Sequence, residues 1–477
     1  MTFSFGVLLH LALQLLTALR ALTKRDRAPA ARAAWLLLIA SVPVAGLVLY
    51  YLFGETNIGN RTRRRMREVT DRLAARLSAA PAAAAPPDLP VALRPVFRRA
   101  ASVNGFAPVA GNAATLPPDE AAAIDALVAD IDAARDHVHL LFYIWLEDGN
   151  GTRVLDAIER AAARGVACRV LIDGLGSRAL ARSARWAALG ACGVRTAITF
   201  KMRWLLAHVF FARVDLRNHR KIAVIDGRTG YCGSQNCADP AFLPKQRFGP
   251  WVDVMIRFEG PVVLQLQHLF AIDWMTHAGE DIATLLDAPV EPAPGGFPAI
   301  AVGTGPTIDN RAVSDIFAML LAAAQEEAII TTPYFVPDDT LHRAICGAAR
   351  RGVKVTMILP ARNDSIFVAR ASRSYYSDLL RAGVRLAEYQ GGLLHAKTLT
   401  VDGLATCMGS ANMDRRSFEL NFENMLILVS AEVTGAMRVR QLAWLARATV
   451  LQPAHGQSWP LLVRAVNNLF ATMGPLL

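Results

Sequence analysis

Two copies of one short motif carry side chains that suit phosphodiester chemistry. Each copy reads His-x-Lys-x4-Asp and is followed by a Gly-Ser-x-Asn tetrad. The sequence around each histidine alternates like a strand, so its histidine and lysine are predicted to share one face. A single His-x-Lys arises easily by chance, whereas two copies with the same downstream spacing indicate one shared site. The motif residues are His219, Lys221, Asp226, Ser234 and Asn236 in the first copy, and His395, Lys397, Asp402, Ser410 and Asn412 in the second.

Two histidines can divide the work of transfer at phosphorus. One attacks the phosphorus atom, and the other protonates the leaving oxygen and later deprotonates the acceptor. The lysines, asparagines and serines are candidates to bind or support the phosphate, because charge develops on its non-bridging oxygens. The sequence shows no carboxylate cluster with metal-ligand spacing, so we expect neither a metal ion nor another cofactor.

Two further carboxylates are candidates to orient the histidines. Asp253 and Glu423 each follow a Gly-Ser-x-Asn tetrad and begin a strand-like apolar run. A carboxylate on the second ring nitrogen commonly fixes a working histidine. Their order in the chain assigns Asp253 to the first motif and Glu423 to the second; the alternative is a solvated acid at a strand start. Asp226 and Asp402 each precede a glycine, and we expect them to hold turns rather than move protons.

A long-period repeat organises the chain from about Glu120 onward. Helical and apolar strand-like segments alternate, which predicts an α/β sheet. The sequence around Tyr143 resembles that around Tyr334, upstream of the two histidines. The first copy holds extra residues at 199–218, rich in aromatic and basic side chains. This insertion is either a lipid-contacting loop or an ordinary packed segment.

Composition indicates a membrane part and anionic partners. The 477 residues are 53% hydrophobic and 19% charged, with a formal net charge of +11, which favours nucleic acid, anionic lipid or phosphate-bearing substrates. The six cysteines form no CxxC pair, so we expect reduced thiols rather than zinc or disulfides.

The N-terminal region predicts membrane segments. Ala33 to Phe53 is uncharged and about long enough to span a bilayer, and we predict one spanning helix there. Thr2 to Leu19 is also uncharged and is a candidate to span, re-enter or lie in the plane; a cleaved signal peptide is less favoured, since no basic region precedes it. A basic cluster then indicates a cytoplasmic body, although the basic loop at 24–32 opposes a two-span hairpin. The cluster comprises Arg61, Arg63, Arg64, Arg65 and Arg67.

The duplicated motif resembles that of the phospholipase D superfamily. More narrowly, the chain is similar to bacterial cardiolipin synthases of the membrane-anchored type. The similarity lies in the apolar segment 35–55, the run from Gly391 to Glu423 and the ending Pro475-Leu476-Leu477. The resemblance implies two similar phospholipase D-like α/β halves packed around one active site. The expected divisions are 1–55 for one or two membrane helices, 56–117 for a basic juxtamembrane region and Ala/Pro-rich linker, and 118–290 and 291–477 for the two halves.

The same resemblance implies an activity. The phosphatidyl group of one phosphatidylglycerol passes through a phosphohistidine, with His219 favoured as nucleophile by analogy, to a second phosphatidylglycerol, giving cardiolipin and glycerol. Expected partners are phosphatidylglycerol and anionic membrane lipid, without nucleic acid or metal. The expected location is the bacterial inner membrane, with the catalytic body in the cytoplasm. Alternatives are a membrane-bound phospholipase D that uses water, and transfer to another alcohol. A nuclease is less favoured, because lipid headgroups account for the basic charge.

Overall fold

A computed structural model describes residues 5–24, 29–79, 87–200, 213, 215–452 and 459–473. Most of the aromatic and basic insertion at 199–218, part of the basic loop at 24–32, and the ending at 475–477 lie outside these residues. Statements about structure refer to the described parts of the chain.

Three helices form the N-terminal region: α1 (Phe5–Thr23), α2 (Pro29–Ser41) and α3 (Pro43–Phe53). Within the described ranges, α1 is the helix long and apolar enough to cross a membrane. Most of its large apolar side chains are exposed, including Phe5 and Leu15. Lys24, just after α1, forms a 2.8 Å ion pair with Glu55 after α3, which joins the two ends at the base of the region.

The predicted spanning helix from Ala33 to Phe53 is wrong. The helix breaks at Val42, because the residue before a proline avoids helical geometry and Pro43 begins a new helix. The rings of Trp35 and Tyr50 lie 5.4 Å apart, whereas a straight helix would separate them by about 22 Å. Gly46 permits the return, since a Cβ there would lie 2.5 Å from the Leu38 carbonyl oxygen. The segment is therefore a short helical hairpin.

The region 56–117, expected to be a basic juxtamembrane region and an Ala/Pro-rich linker, is mostly regular secondary structure, and its Ala/Pro-rich residues 80–86 lie outside the described residues. It contains α4 (Asn60–Ala79), α5 (Arg94–Asn104) and β1 (Val109–Thr115). Met66, Val69 and Leu73 form an apolar stripe at helical spacing, and this stripe buries α4 against the body. The strand β1 reads Val-Ala-Gly-Asn-Ala-Ala-Thr, which lacks large apolar residues although it lies inside the main sheet.

The first half has the predicted alternation of helices and strands. Asp119 and Asp148 begin its first two helices, since each side chain accepts a backbone N–H of the first turn. The elements are α6 (Glu120–Ala133), β2 (His137–Phe142), α7 (Gly149–Ala163), β3 (Ala167–Asp173), α8 (Ala184–Ala191), β4 (Arg195–Thr199), β5 (Arg217–Asn218), β6 (Ile222–Ile225), β7 (Thr229–Gly233), β8 (Trp251–Val252), β9 (Met255–Glu259) and α9 (Val262–His277).

The second half repeats this order with small changes. Asp338 caps its second helix as Asp148 caps α7. The elements are β10 (Phe297–Thr304), α10 (Ala312–Ala323), β11 (Glu327–Thr331), β12 (Phe335–Val336), α11 (Asp339–Arg350), β13 (Lys354–Pro360), α12 (Ile366–Arg381), β14 (Arg385–Tyr389), β15 (Leu393–Leu394), β16 (Thr398–Val401), β17 (Ala405–Gly409), β18 (Met413–Asp414), α13 (Arg415–Glu419), β19 (Asn421–Val429), α14 (Ala431–Ala446), β20 (Ala448–Val450) and α15 (Leu461–Thr472).

One sheet runs through both halves. Its strand order is β20-β14-β13-β11-β16-β17-β19-β10-β1-β9-β7-β6-β2-β3-β4, and β5 pairs with β19. The series β9-β7-β6-β2-β3-β4 is matched by β19-β17-β16-β11-β13-β14, and the pair β1 and β10 joins the two series at the centre. The α/β fold of two similar halves is thus confirmed. Two short parallel pairings, β5 with β19 and β8 with β15, cross between the halves.

Candidate active site

Each motif histidine lies where a short strand meets the other half. In the first motif, β5 pairs with β19 and the His219 backbone N–H donates to the Phe422 carbonyl at 2.8 Å. In the second, β15 pairs with β8 and the His395 backbone N–H donates to the Val252 carbonyl at 2.7 Å. The crossing strands therefore bring both histidines to the boundary between the halves.

The two orienting carboxylates are exchanged between the halves. His219 Nδ1 lies 2.9 Å from Glu423 Oε2, and His395 Nδ1 lies 2.7 Å from Asp253 Oδ1. The predicted carboxylates do contact the histidines, but the predicted pairing within each half is wrong. The order of residues along the chain could not show this, because the pairing follows from strands that cross the boundary.

The two motif serines hold these carboxylates. Ser234 Oγ donates to Asp253, and Ser410 Oγ donates to Glu423. Asn421 Nδ2 adds a 3.1 Å hydrogen bond to Glu423 Oε1. Of the two roles predicted for the serines, binding or supporting the phosphate, these contacts favour support, since each hydroxyl already donates its one proton to a carboxylate.

Burial and charge set the protonation states of these pairs. His219 and His395 are only 7% and 3% exposed. Burial lowers the pKa of His219 to about 4 and also lowers the pKa of His395. Burial alone would raise the pKa values of Asp253 and Glu423, but the contacting histidines outweigh it and both pKa values lie below their ordinary ones. The arrangement at neutral pH is thus a neutral imidazole whose Nδ1–H donates to an ionised carboxylate.

Both motif lysines are buried beside the histidines. Lys221 Nζ donates to the His219 carbonyl at 2.6 Å, and Lys397 Nζ donates to the His395 carbonyl at 2.5 Å. An ammonium group carries three donors, and the carbonyl occupies one of them. Burial lowers the pKa of Lys221 to about 7 and that of Lys397 to about 8. An incoming phosphate anion would favour their charged forms.

The two motif asparagines differ in their contacts. Asn236 Oδ1 accepts the Ile144 backbone N–H at 3.1 Å, which leaves its amide nitrogen as a donor. Asn412 Nδ2 donates to Ser417 Oγ at 3.3 Å, and its buried Oδ1 has no hydrogen-bond partner in the described structure. The first asparagine is therefore arranged to donate to an anion, whereas the second is tied to its own half.

Aromatic rings surround the two imidazoles. Tyr143 lies 4.8 Å from His219 between ring centroids, and Trp251 lies 4.4 Å from His395. Tyr334 is 6.4 Å from His395. The repeat had singled out both tyrosines, because the sequences around them are similar, but it gave no indication of Trp251. These rings help to exclude water from the histidines.

Asp226 and Asp402 hold turns. Asp226 accepts three backbone N–H groups from residues 135–137 at 2.8–2.9 Å, and Asp402 accepts three from residues 325–327 at the same distances. Both residues adopt a φ of 51°. As expected from the following glycines, these carboxylates fasten the starts of β2 and β11, and a direct catalytic assignment does not fit them.

A buried network supports the back of the first motif. Arg220 Nη1 lies 2.8 Å from Asp273 Oδ2, and Asn218 Nδ2 lies 2.9 Å from the same oxygen. Asp173 accepts the Asn218 backbone N–H at 2.9 Å. The sequence did not predict a role for these residues. The available signal was the alternation of the strand, which turns residues 218 and 220 away from the histidine face.

Comparison with known proteins agrees with this fold and site. A family model described as "Cardiolipin synthase, PLD-like domain" matches residues 127–274 and 317–441, and one described as "Phospholipase_D-nuclease N-terminal" matches residues 12–55. Cardiolipin synthase A of Edwardsiella ictaluri (strain 93-146) is 36% identical over 469 residues, covering 96% of this chain and 95% of that protein. Cardiolipin synthase A of Klebsiella pneumoniae (strain 342) is 36% identical over 467 residues with the same coverage.

A solved structure shares the fold at low sequence identity. Phosphatidylserine synthase of Haemophilus influenzae Rd KW20 aligns with a TM-score of 0.54 and 15% identity, covering 79% of this chain and 97% of that chain. Two such halves with paired histidines and lysines at their boundary define a phosphatidyltransferase of the phospholipase D superfamily. Within that superfamily, the chain belongs to the cardiolipin synthase family.

Proposed function

We propose that the chain makes cardiolipin by transferring the phosphatidyl group of one phosphatidylglycerol to a second, with release of glycerol. The observation that carries this proposal is the pair of buried histidines, each held by a carboxylate of the opposite half and each beside a lysine. Cardiolipin synthesis is also the activity named for the 36% identical relatives.

The first step forms a covalent intermediate. His219 donates its Nδ1–H to Glu423, so its Nε2 keeps a lone pair that attacks the phosphorus of the donor lipid. The P–O bond to the headgroup glycerol breaks, and protonated His395 gives its proton to the departing oxygen. Asp253 favours that protonated form, as does the negative charge of the bound phosphate. The pKa of His219, which burial lowers to about 4, keeps this imidazole neutral and able to attack.

The second step reverses these roles. A hydroxyl of the second phosphatidylglycerol passes its proton to His395 and attacks phosphorus, and the P–N bond to His219 breaks. Lys221, Lys397 and Asn236 place positive charge and N–H donors at the non-bridging oxygens in both steps. Asp253 and Glu423 act as positioning residues, and Ser234 and Ser410 hold them in turn.

We further propose that this chemistry takes place at the bacterial inner membrane with the catalytic body in the cytoplasm. The apolar helix α1 supports membrane association, and the arginine cluster at 61–67 supports the cytoplasmic side. A purely soluble substrate would not require α1.

The products made from phosphatidylglycerol vesicles test the reaction. The reconstituted full chain is expected to release glycerol and form cardiolipin, and His219→Ala or His395→Ala is expected to abolish both. Phosphatidic acid as the main product would replace synthesis with hydrolysis, and a new lipid formed only with added alcohol would indicate another acceptor. Near-normal turnover by either alanine variant would contradict the shared-site mechanism.

A further inference from the structure

A cavity of about 1020 Å³ lies between the N-terminal helices, α4 and the back of the catalytic strand. Its outer wall includes Arg20 and Lys24 at the end of α1, and Arg63 and Arg67 on α4. Its inner wall includes Arg220, which stands between His219 and Lys221 in sequence but points to the opposite side of the strand. The cavity is therefore separate from the histidine face while sharing its strand.

The outer wall has an excess of positive charge. Four cations face two carboxylates, Glu55 and Asp71. Arg67 lies 3.8 Å from Asp71, and both side chains are largely exposed. Arg63 makes hydrogen bonds of 3.4 and 3.5 Å to the neutral groups of Asn57 and Thr56, and no carboxylate pairs with it among the described residues. A third lining acid, Asp309, bonds to Arg99.

The inner wall holds a buried carboxylate. Asp273 is fully buried, and its Oδ2 accepts from Arg220 and Asn218. Its Oδ1 has no hydrogen-bond partner in the described structure, although Asp273 lines the cavity. Because its side chain has no exposed surface, Asp273 closes the floor of the cavity and does not contact an occupant. The apolar side chains of Met66, Ile272 and Phe422 complete the wall.

We propose that this cavity binds the glycerophosphate headgroup of an anionic phospholipid, in addition to the lipids that react. The phosphate meets the cations at the end of α1 and on α4, and the rest of the headgroup lies in the cavity. The cavity lies at the end of α1, where a lipid keeps its acyl chains beside an apolar helix while its headgroup enters the protein. The proposal goes beyond the transfer reaction and does not depend on which histidine is the nucleophile.

The occupant contacts the catalytic strand from behind. Arg220 joins three groups, since it bonds to Asp273, to the Glu423 carbonyl at 3.1 Å and to the Thr304 carbonyl at 3.1 Å. Glu423 is also the residue whose side chain holds His219. An occupant of the cavity therefore lies directly behind the residues that support the first motif.

The test counts lipids bound to the full-length chain carrying His219→Asn, which blocks turnover. In native mass spectrometry in detergent with added phosphatidylglycerol, this protein is expected to hold one more tightly bound lipid than the same protein carrying Arg63→Glu/Arg67→Glu. The double variant is expected to bind that lipid with an affinity lower by about tenfold or more. The matched control is Arg61→Glu/Arg64→Glu, which makes the same charge change on α4 at residues that do not line the cavity. Equal lipid counts in the two double variants would overturn the proposal.

Further arms separate the possible ligands. Phosphatidylcholine is expected to leave the extra position empty, and equal binding of this zwitterionic lipid would contradict an anion site. If inorganic phosphate or glycerol 3-phosphate displaces the extra lipid as effectively as phosphatidylglycerol does, the site takes a free anion and the lipid assignment is wrong.

Discussion

The two buried lysines predict how the activity depends on pH. Their lowered pKa values, about 7 for Lys221 and about 8 for Lys397, mean that positive charge is present below these values and lost as pH rises through them. His219 stays neutral until pH falls towards its pKa of about 4. We expect kcat/KM to fall as pH rises above about 7 and to fall more steeply above about 8, since kcat/KM reports the free enzyme. A profile that stays flat through pH 9.5 would contradict the lysine assignment, and in Lys221→Arg any remaining activity should lose less at alkaline pH.

The crossed carboxylates predict different defects in the two half-reactions. With a phosphatidyl p-nitrophenol substrate, whose leaving group needs little protonation, Asp253→Asn is expected to keep the initial burst of nitrophenol and lose turnover. Glu423→Gln is expected to lose the burst, because it disturbs the tautomer and orientation of His219. Stopped-flow absorbance measures both, and losses of about 10²-fold or more are expected. The opposite pattern would exchange the roles of the two histidines.

The site was predictable from sequence at the level of residue type. The repeat identified both histidines and both lysines through a spacing that occurs twice, and both orienting carboxylates through their place at the start of an apolar run after each tetrad. It did not identify the crossed partners or Trp251, since these depend on strands that meet only in the folded chain. Ser234 and Ser410 were predicted to bind or support the phosphate, and both contact the orienting carboxylates with which the sequence had grouped them.

At the scale of elements, the turn carboxylates predict a stability effect without a catalytic one. Asp402→Ala removes the acceptor of three backbone N–H groups at the start of β11 and is expected to lower the free energy of unfolding by about 2–4 kcal/mol. The folded fraction should keep its turnover. Denaturant titration and activity per folded protein measure these, with Asp136→Ala, an exposed acid at the equivalent turn of the other half, as control. Loss of turnover with unchanged stability would return Asp402 to the catalytic group.

The helical hairpin of α2 and α3 predicts a specific cross-link. Trp35→Cys/Tyr50→Cys is expected to be bridged by a short bifunctional thiol reagent, because the two side chains meet with ring centroids 5.4 Å apart. A continuous spanning helix would keep these positions about 22 Å apart and prevent it. Peptide mass spectrometry detects the bridge, with Trp35→Cys alone as control. Failure of the pair to cross-link would favour the continuous helix.

Hydropathy alone was misleading for this element. The run from Ala33 to Phe53 has the length and composition of a span, and its local breaks at Pro43 and Gly46 are tolerated in many membrane helices. What decides between the two forms is the packing of Trp35 on Tyr50, which composition does not report.

At the scale of the whole molecule, both histidines of a site come from one chain. A mixture of His219→Ala and His395→Ala proteins is therefore expected to remain as inactive as each variant alone. Co-reconstitution in the same vesicles, with cardiolipin formation as readout, measures this. Recovery of activity on mixing would indicate a site assembled between two chains.

The architecture of two similar halves followed from the repeat, whereas the centre of the sheet did not. Large apolar residues predicted β2, β3, β11 and β13 as strands, and the repeat matched β2 with β11 and β3 with β13. The Ala-rich β1 carries no such pattern, and its place between β9 and β10 follows from backbone pairing and the surrounding core. Sequence periodicity reports side chains, so it misses strands made largely of small residues.

The exchange of carboxylates between the halves also constrains inheritance. In a duplicated protein, one copy is ordinarily free to drift while the other preserves the activity. Here a substitution at Glu423 disables the histidine of the first copy, and one at Asp253 disables that of the second. Neither copy can lose its carboxylate without affecting the histidine of the other, so the two copies are expected to be maintained together. A substitution in either copy therefore acts on the shared site and not on one half alone.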